Sequence, residues 1–127
     1  MTLCTRYSAT AWVVVTALLA TGFATHAEDG FKMLDEKDIR SRIVGKDITE
    51  GPHWSMYLRS DGALISSESG SSRTGSWKIR NNKLCMAHQS GETFNCDEVW
   101  MSGANIRLRE NKDQEIFDSI VARHQAN

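Results

Sequence analysis

The stretch Lys83–Cys96, KLCMAHQSGETFNC, places two cysteines symmetrically about Ser90-Gly91. If a hairpin turns at this dipeptide, Cys85 and Cys96 lie directly opposite each other on neighbouring antiparallel strands. Opposed residues have Cβ atoms about 4.5–5.5 Å apart, and closer in non-hydrogen-bonded pairs, whereas a disulfide needs about 3.5–4.5 Å. The sequence therefore predicts a β-hairpin that a disulfide can staple.

A redox pair and a zinc site are the alternatives for these cysteines. A thioredoxin-like pair would sit two residues apart at the start of a helix, and structural zinc would need two further Cys or His ligands at short spacing. His88 alternates to the opposite face from Cys85, and His53 and His124 have no spacing relation to the pair. A structural disulfide is the favoured interpretation, and no metal or other cofactor is predicted.

The N-terminal residues have the pattern of a cleaved secretory signal. Arg6 precedes the apolar run Ala9–Ala24, and Thr25-His26-Ala27 supplies a small-x-small end. The run is shorter than the about 20 apolar residues of a membrane helix. We therefore expect residues 1–27 to be removed, leaving a periplasmic or secreted protein with no stable membrane span. Such compartments favour disulfides.

Charge and length limit what the remaining residues 28–127 can be. Removal of residues 1–27 leaves 14 Lys and Arg against 16 Asp and Glu, a net charge of −2. No basic stripe emerges, which argues against nucleic acid as a partner. The length is enough for one small domain, so we predict a single β domain.

A short helix is predicted over about residues 35–44. Asp35 can cap its start, Ile39 and Ile43 share one face, and Gly45 can end it.

Strands are predicted from about residue 46 onward. Trp54, Met56 and Leu58 alternate onto one face, and Asp61-Gly62 is a hairpin signal. Turn signals recur at the spacing typical of an all-β sandwich or barrel. The segment 115–123 fits a helix or a strand; a strand is favoured because an antiparallel sheet gains by closing its edge. We predict a mainly β fold: a small antiparallel barrel or strongly curved sheet of about seven or eight strands with a short N-terminal helix.

The loop at Asn81-Asn82 decides which residues face the core. With a two-residue loop, Trp77 shares a face with Leu84 and Met86 while Cys85 faces away. A three-residue loop, Arg80-Asn81-Asn82 with a bulge, instead puts Trp77 beside Cys85. On the next strand Cys96 and Trp100 share one face, and the three-residue loop puts Trp77 and Cys85 on that same face. We therefore predict a core face in which the disulfide lies under two indoles: Trp77, Ile79, Cys85, Ala87, Phe94, Cys96 and Trp100.

Four residues are candidates for contact with a ligand or partner. His53, Trp54 and Tyr57 lie next to a loop, and aromatic residues with polar tips suit binding. Alternatively, Trp54 is simply core and the other two lie on an exposed strand face. Glu98 interrupts the tryptophan face, and if buried it would need a partner such as Arg107 or Arg73.

Catalytic machinery is not predicted. The chain contains no G-x-S-x-G nucleophile elbow. Asp97 and Glu98 are adjacent in a strand and point to opposite faces, so they cannot act together as acid and base.

The motif Gly75-Ser76-Trp77, followed by Leu84-Cys85 and Cys96, resembles small secreted proteobacterial domains of unknown function. The resemblance covers roughly residues 35–110. Its pattern, a G-x-W strand followed by two cysteine-bearing strands, is similar to that of lipocalin-like barrels. The resemblance implies an envelope location and a small antiparallel barrel or curved sheet, and it implies no catalytic residue.

These observations favour a non-enzymatic periplasmic or secreted binding or accessory module with one disulfide. A barrel of about eight strands holds side chains or one small ligand, so an envelope protein or a small apolar ligand is the expected partner. The alternative is an envelope enzyme or metal-binding protein using His53, His88 and nearby acids. That alternative gains if these groups converge in one pocket with Asp97 or Glu98.

Overall fold

The computed structural model describes residues 30–110 and 117–126. Within these residues no helix is long and apolar enough to cross a membrane. The predicted signal, residues 1–27, lies outside the described part. The described residues form one helix and nine strands: β1 (Lys32–Met33), α1 (Glu36–Arg42), β2 (Lys46–Thr49), β3 (Trp54–Leu58), β4 (Ala63–Glu68), β5 (Ser71–Arg80), β6 (Lys83–Ala87), β7 (Asn95–Ser102), β8 (Asn105–Arg109) and β9 (Phe117–Arg123).

Strands β2 to β9 close into an antiparallel barrel. Each strand pairs with the next along the chain, and β9 pairs back with β2. The short strand β1 pairs with Trp100 and Met101 of β7, beyond the residues of β7 that pair with β6. The predicted fold class and the strand interpretation of the C-terminal segment are confirmed.

The helix α1 begins and ends where the sequence pattern indicates. The Asp35 side chain accepts a hydrogen bond from the Asp38 backbone N–H at 2.8 Å, which caps the helix N-terminus. Ile39 and Ile43 are fully buried in the main core cluster. The apolar side of α1 is therefore part of the barrel core.

Two hairpin tips hold α1 against one end of the barrel. The Glu36 backbone N–H donates to Asn82 Oδ1 at 2.9 Å, and Arg42 donates to the Gly103 carbonyl at 3.1 Å. Asn82 belongs to the β5–β6 turn and Gly103 to the β7–β8 turn, so α1 covers the end that carries these turns. The opposite end of the barrel carries the β2–β3, β4–β5 and β6–β7 connections.

Large side chains fill the barrel interior. Alternate residues of the strands face inward and belong to one continuous cluster, which Leu34, Ile39 and Ile43, in α1 and on either side of it, complete. The cluster comprises Leu34, Ile39, Ile43, Ile48, Met56, Leu58, Leu64, Trp77, Leu84, Met86, Val99, Met101, Ile106 and Leu108. An eight-stranded barrel is just wide enough to be filled in this way.

The predicted register of the β5–β6 hairpin is wrong. Arg80 pairs with Lys83 across a two-residue loop, and both Asn81 (φ 52°) and Asn82 (φ 58°) adopt the left-handed conformation. This is the backbone of a type I′ turn, which asparagine tolerates at both central positions. Trp77 therefore lies opposite Met86, and Cys85 lies opposite Lys78 on the outer face.

The predicted core face is consequently wrong for Cys85, Ala87, Phe94, Cys96 and Trp100, which alternate to the outer side. On β7, Val99 and Met101 face inward and are 0% and 4% exposed, while Cys96, Glu98 and Trp100 alternate outward. The prediction gave the tryptophan more weight than the two aliphatic residues beside it. Cys85 and Cys96 do pair, with Cα atoms 3.9 Å apart, so the disulfide is confirmed. It lies on the outer face of the wall, where neighbouring groups cover Cys85 and leave it 0% exposed.

Candidate functional site

The structure places the four predicted contact residues at separate positions. His53 is exposed in the β2–β3 connection, while Trp54 packs against the core cluster. Tyr57 lies on the outer face of β3, and Glu98 lies on the outer face of β7. The four residues do not form one site, and each has different neighbours.

Tyr57 belongs to a polar groove on the outer wall. The His124 ring stacks on the Tyr57 ring with centroids 3.6 Å apart and planes inclined by 6°. His124 Nδ1 lies 3.0 Å from Asp47 Oδ1. These contacts pin the residues after β9 to β2 and β3 and make one wall of a groove of about 340 Å³. The sequence contained no spacing signal for this contact, because Asp47 and His124 are 77 residues apart.

His88 and Asp97 both lie on the inner side of the wall. Asp97 lies opposite the buried Leu84 and so faces inward. Burial raises the pKa of Asp97 above its usual range, and the Glu110 carboxylate raises it further, while Lys83 and His88 oppose the rise. His88 Nδ1 lies 3.4 Å from Ser66 Oγ.

The Ser66 hydroxyl and the His88 ring form a long contact. Their 3.4 Å separation exceeds the about 2.6–3.2 Å typical of a nucleophile and its base. His53 is exposed at a separate position. Among residues 30–110 and 117–126, no group of three or more His, Cys, Asp or Glu could hold a metal ion. An enzyme or a metal carrier would be favoured if His53, His88 and nearby acids converged in one pocket. This condition is only partly met, because His53 lies apart from His88 and Asp97.

A third surface, on the outer side of β7, β8 and β9, carries stacked aromatic and cationic side chains. The Arg109 guanidinium lies over the Trp100 ring, 4.3 Å from its centroid, and Trp100 Nε1 donates to Glu98 Oε2 at 3.1 Å. The Arg107 guanidinium lies over the Phe31 ring at 3.9 Å. Stacking of this kind holds an arginine side chain in place.

Aliphatic side chains extend this surface. Met33 lies opposite Trp100 and is 54% exposed, and Ile120 is 50% exposed. Ile120 and Phe31 line a groove of about 360 Å³ together with Arg107 and its ion-pair partner Asp118, at 2.8 Å. We call the whole surface the Trp100 face: Phe31, Met33, Glu98, Trp100, Arg107, Arg109, Asp118 and Ile120.

Several side chains of the Trp100 face are of types that are common at protein interfaces. Tryptophan, phenylalanine, methionine and arginine are enriched at protein interfaces, and tryptophan and arginine are enriched among the residues that contribute most to binding. The stacked arginines lose less side-chain entropy on binding than mobile ones would. Sequence reasoning found only Glu98 of this set. The alternation of Trp100 against Val99 and Met101 was the signal that could have revealed the rest.

Comparison of the chain with protein-family models, with curated proteins and with solved structures finds no match.

Proposed function

We propose that this protein is a non-enzymatic binding module of the periplasm or the secreted fraction, and that it engages a protein partner through the Trp100 face. One observation carries the proposal. Trp100, stacked under Arg109, lies beside the half-exposed Met33 on the outside of a closed barrel. Met33 is exposed and Trp100 is partly exposed, and apolar side chains grouped on a surface in this way are typical of binding sites.

The filled interior supports a partner outside the barrel. Leu64, Leu84 and Ile106 are fully buried at the centre of the core cluster. A small apolar ligand would have to displace side chains of this kind, which pack at crystal-like density. A partner bound to the outer wall needs no such rearrangement.

The proposed location rests on the cysteines and on the N-terminal pattern. A cross-strand disulfide persists in oxidising compartments, and the apolar run after Arg6 has the order of a secretory signal. The resemblance of the G-x-W strand and the two cysteine-bearing strands to small secreted proteobacterial domains supports the same location.

The test begins with the protein isolated under native conditions from the periplasm. Native mass spectrometry should show a stoichiometric protein partner, whose affinity is then measured for two variants. Trp100→Ala should weaken binding by about 30-fold or more, the effect of losing one residue that dominates an interface. Phe94→Ala is the matched control, because Phe94 is also an outer-face aromatic under a cation, with Lys78 Nζ 4.0 Å from the ring.

Phe94→Ala should change the affinity by less than about threefold, since interface energy concentrates in few residues. Neither ring belongs to the core cluster, so both variants should keep the parent's circular dichroism spectrum. Equal losses for the two variants would contradict the assignment of the Trp100 face. A tightly held metal or small molecule in place of a protein would contradict the proposed function itself.

A further inference from the structure

Half of β5 has an edge that no described strand covers. β5 pairs with β4 from Ser71 to Ser76, but it pairs with β6 only from Ser76 to Arg80. In the described part of the chain, residues 71–74 therefore have a strand neighbour on one side only. All four of these residues are exposed.

Gly75 explains why β6 leaves this edge. Gly75 lies opposite the buried Leu64, so a side chain at this position would point into the barrel. A Cβ built there would overlap the Ala87 carbonyl oxygen and would lie 2.7 Å from the His88 carbonyl carbon. The chain after Ala87 thus crosses over the inner side of Gly75, and His88 comes within 3.4 Å of Ser66 on β4. β6 is then no longer beside residues 71–74.

The backbone groups of this edge can be assigned by alternation. The Trp77 N–H donates to the Gly62 carbonyl on the β4 side, so odd-numbered residues of β5 bond toward β4 and even-numbered residues bond away from it. Ser76 uses its outward groups on Ala87. Ser72 and Thr74 direct theirs to the uncovered side, which presents two N–H donors and two C=O acceptors to an incoming strand.

We propose that the edge Ser71–Thr74 binds an extended segment of a partner protein as an added strand, with a carboxylate of that segment facing Arg73. Addition of a strand satisfies the outward backbone groups. Arg73 is the one charged residue in the segment 71–74, and its contact with Glu68 is 3.5 Å long with both side chains more than half exposed. Most of its five donors are therefore available to a second acid.

A second copy of this chain fits the edge less well than an acidic segment. In a twofold antiparallel pairing that joins the outward groups of Ser72 and Thr74, the two copies of Arg73 would lie directly opposite each other on one face. Like charges in that position destabilise a strand pair. The same position accepts a glutamate or an aspartate from a different chain.

The test uses two capped heptapeptides of alternating Thr and Val, one with a central Glu and one with a central Lys. The Glu peptide should shift the amide resonances of Ser72 and Thr74 in a nitrogen–proton spectrum of the full protein. It should bind about fivefold to tenfold more tightly than the Lys peptide at low salt, because the central charge faces Arg73. Arg73→Glu should reverse this preference.

Thr74→Pro supplies an independent check of the backbone contacts. The Thr74 N–H points away from β4, so proline there removes no existing ladder bond and is tolerated as on other edge strands. The variant should keep the parent's spectrum elsewhere and lose peptide binding, whereas Trp100→Ala should bind the peptide like the parent. Equal binding of both peptides by Arg73→Glu, no binding up to millimolar concentration, or resonance shifts confined to other strands would each overturn the proposal.

Discussion

Removal of the disulfide should cost a large part of the stability of this small domain without altering its fold. The change is Cys85→Ala together with Cys96→Ala, which leaves no unpaired thiol in the hairpin. The two cysteines are 11 residues apart in sequence, and for a loop of that size the chain-entropy relation gives about 2.8 kcal/mol at 25 °C. Cys85 is fully buried, and the small void left by alanine adds up to about 1 kcal/mol. The sum is about 3–4 kcal/mol.

Thermal unfolding followed by circular dichroism measures this loss. For a domain of about 100 residues, 1 kcal/mol corresponds to about 4–8 °C, so the Tm should fall by about 12–30 °C. The parent protein in reducing buffer is the control, and its Tm should fall by a similar amount because the same cross-link is lost. A fall of less than about 3 °C in both samples would refute the reasoning from chain entropy. Loss of partner binding at a temperature at which the variant is still folded would show that the cysteines do more than staple the hairpin.

Three further substitutions test other parts of the structure. Gly75→Ala should lower the free energy of unfolding by about 3 kcal/mol or more in urea titrations, because its Cβ would overlap the Ala87 carbonyl oxygen. Ser76 is the next residue and is exposed, so the control Ser76→Ala should change the free energy of unfolding by less than about 0.5 kcal/mol. Asp97→Asn should raise the free energy of unfolding at pH 7 and leave it nearly unchanged near pH 3. The pKa of Asp97 is higher in the folded state, so the protonated carboxyl favours folding. This contribution is complete below the unfolded pKa and is lost as pH rises through the folded pKa. A variant less stable than the parent at pH 7 would mean that the ionised carboxylate has a favourable partner. Asn82→Ala should destabilise by about 0.5–2 kcal/mol more than Asn81→Ala, because both positions have positive φ but only Asn82 also caps α1; equal losses would exclude the cap.

Some features of this protein follow from local sequence alone. Asp35 and the Ile39–Ile43 spacing determine the helix, since capping and a shared face involve residues within one or two turns. The strand pattern around Trp54 and Met56 and the pairing of Cys85 with Cys96 are equally local, because alternation and a central turn relate residues a few positions apart.

The register at Asn81-Asn82 was open in the sequence and was settled by the core. Both loop lengths are compatible with two asparagines, and the choice depends on which face of β7 is buried. Aliphatic packing decided it, because Val99 and Met101 fill the narrow interior while Trp100 can keep its indole N–H bonded to Glu98 outside. A tryptophan alone does not identify the inner face of a strand.

The candidate binding surfaces depended on the tertiary structure throughout. The tertiary structure brings Phe31 onto Arg107 and sets Ile120 in the same groove, although these residues come from the segment before β1, from β8 and from β9. The uncovered edge of β5 arises in the same way, since only the folded chain shows that the segment after Ala87 crosses Gly75 instead of continuing beside it. Local periodicity determined the strands of this protein, whereas contacts between residues distant in the chain decided which side chains and backbone groups remained on its surface for a partner.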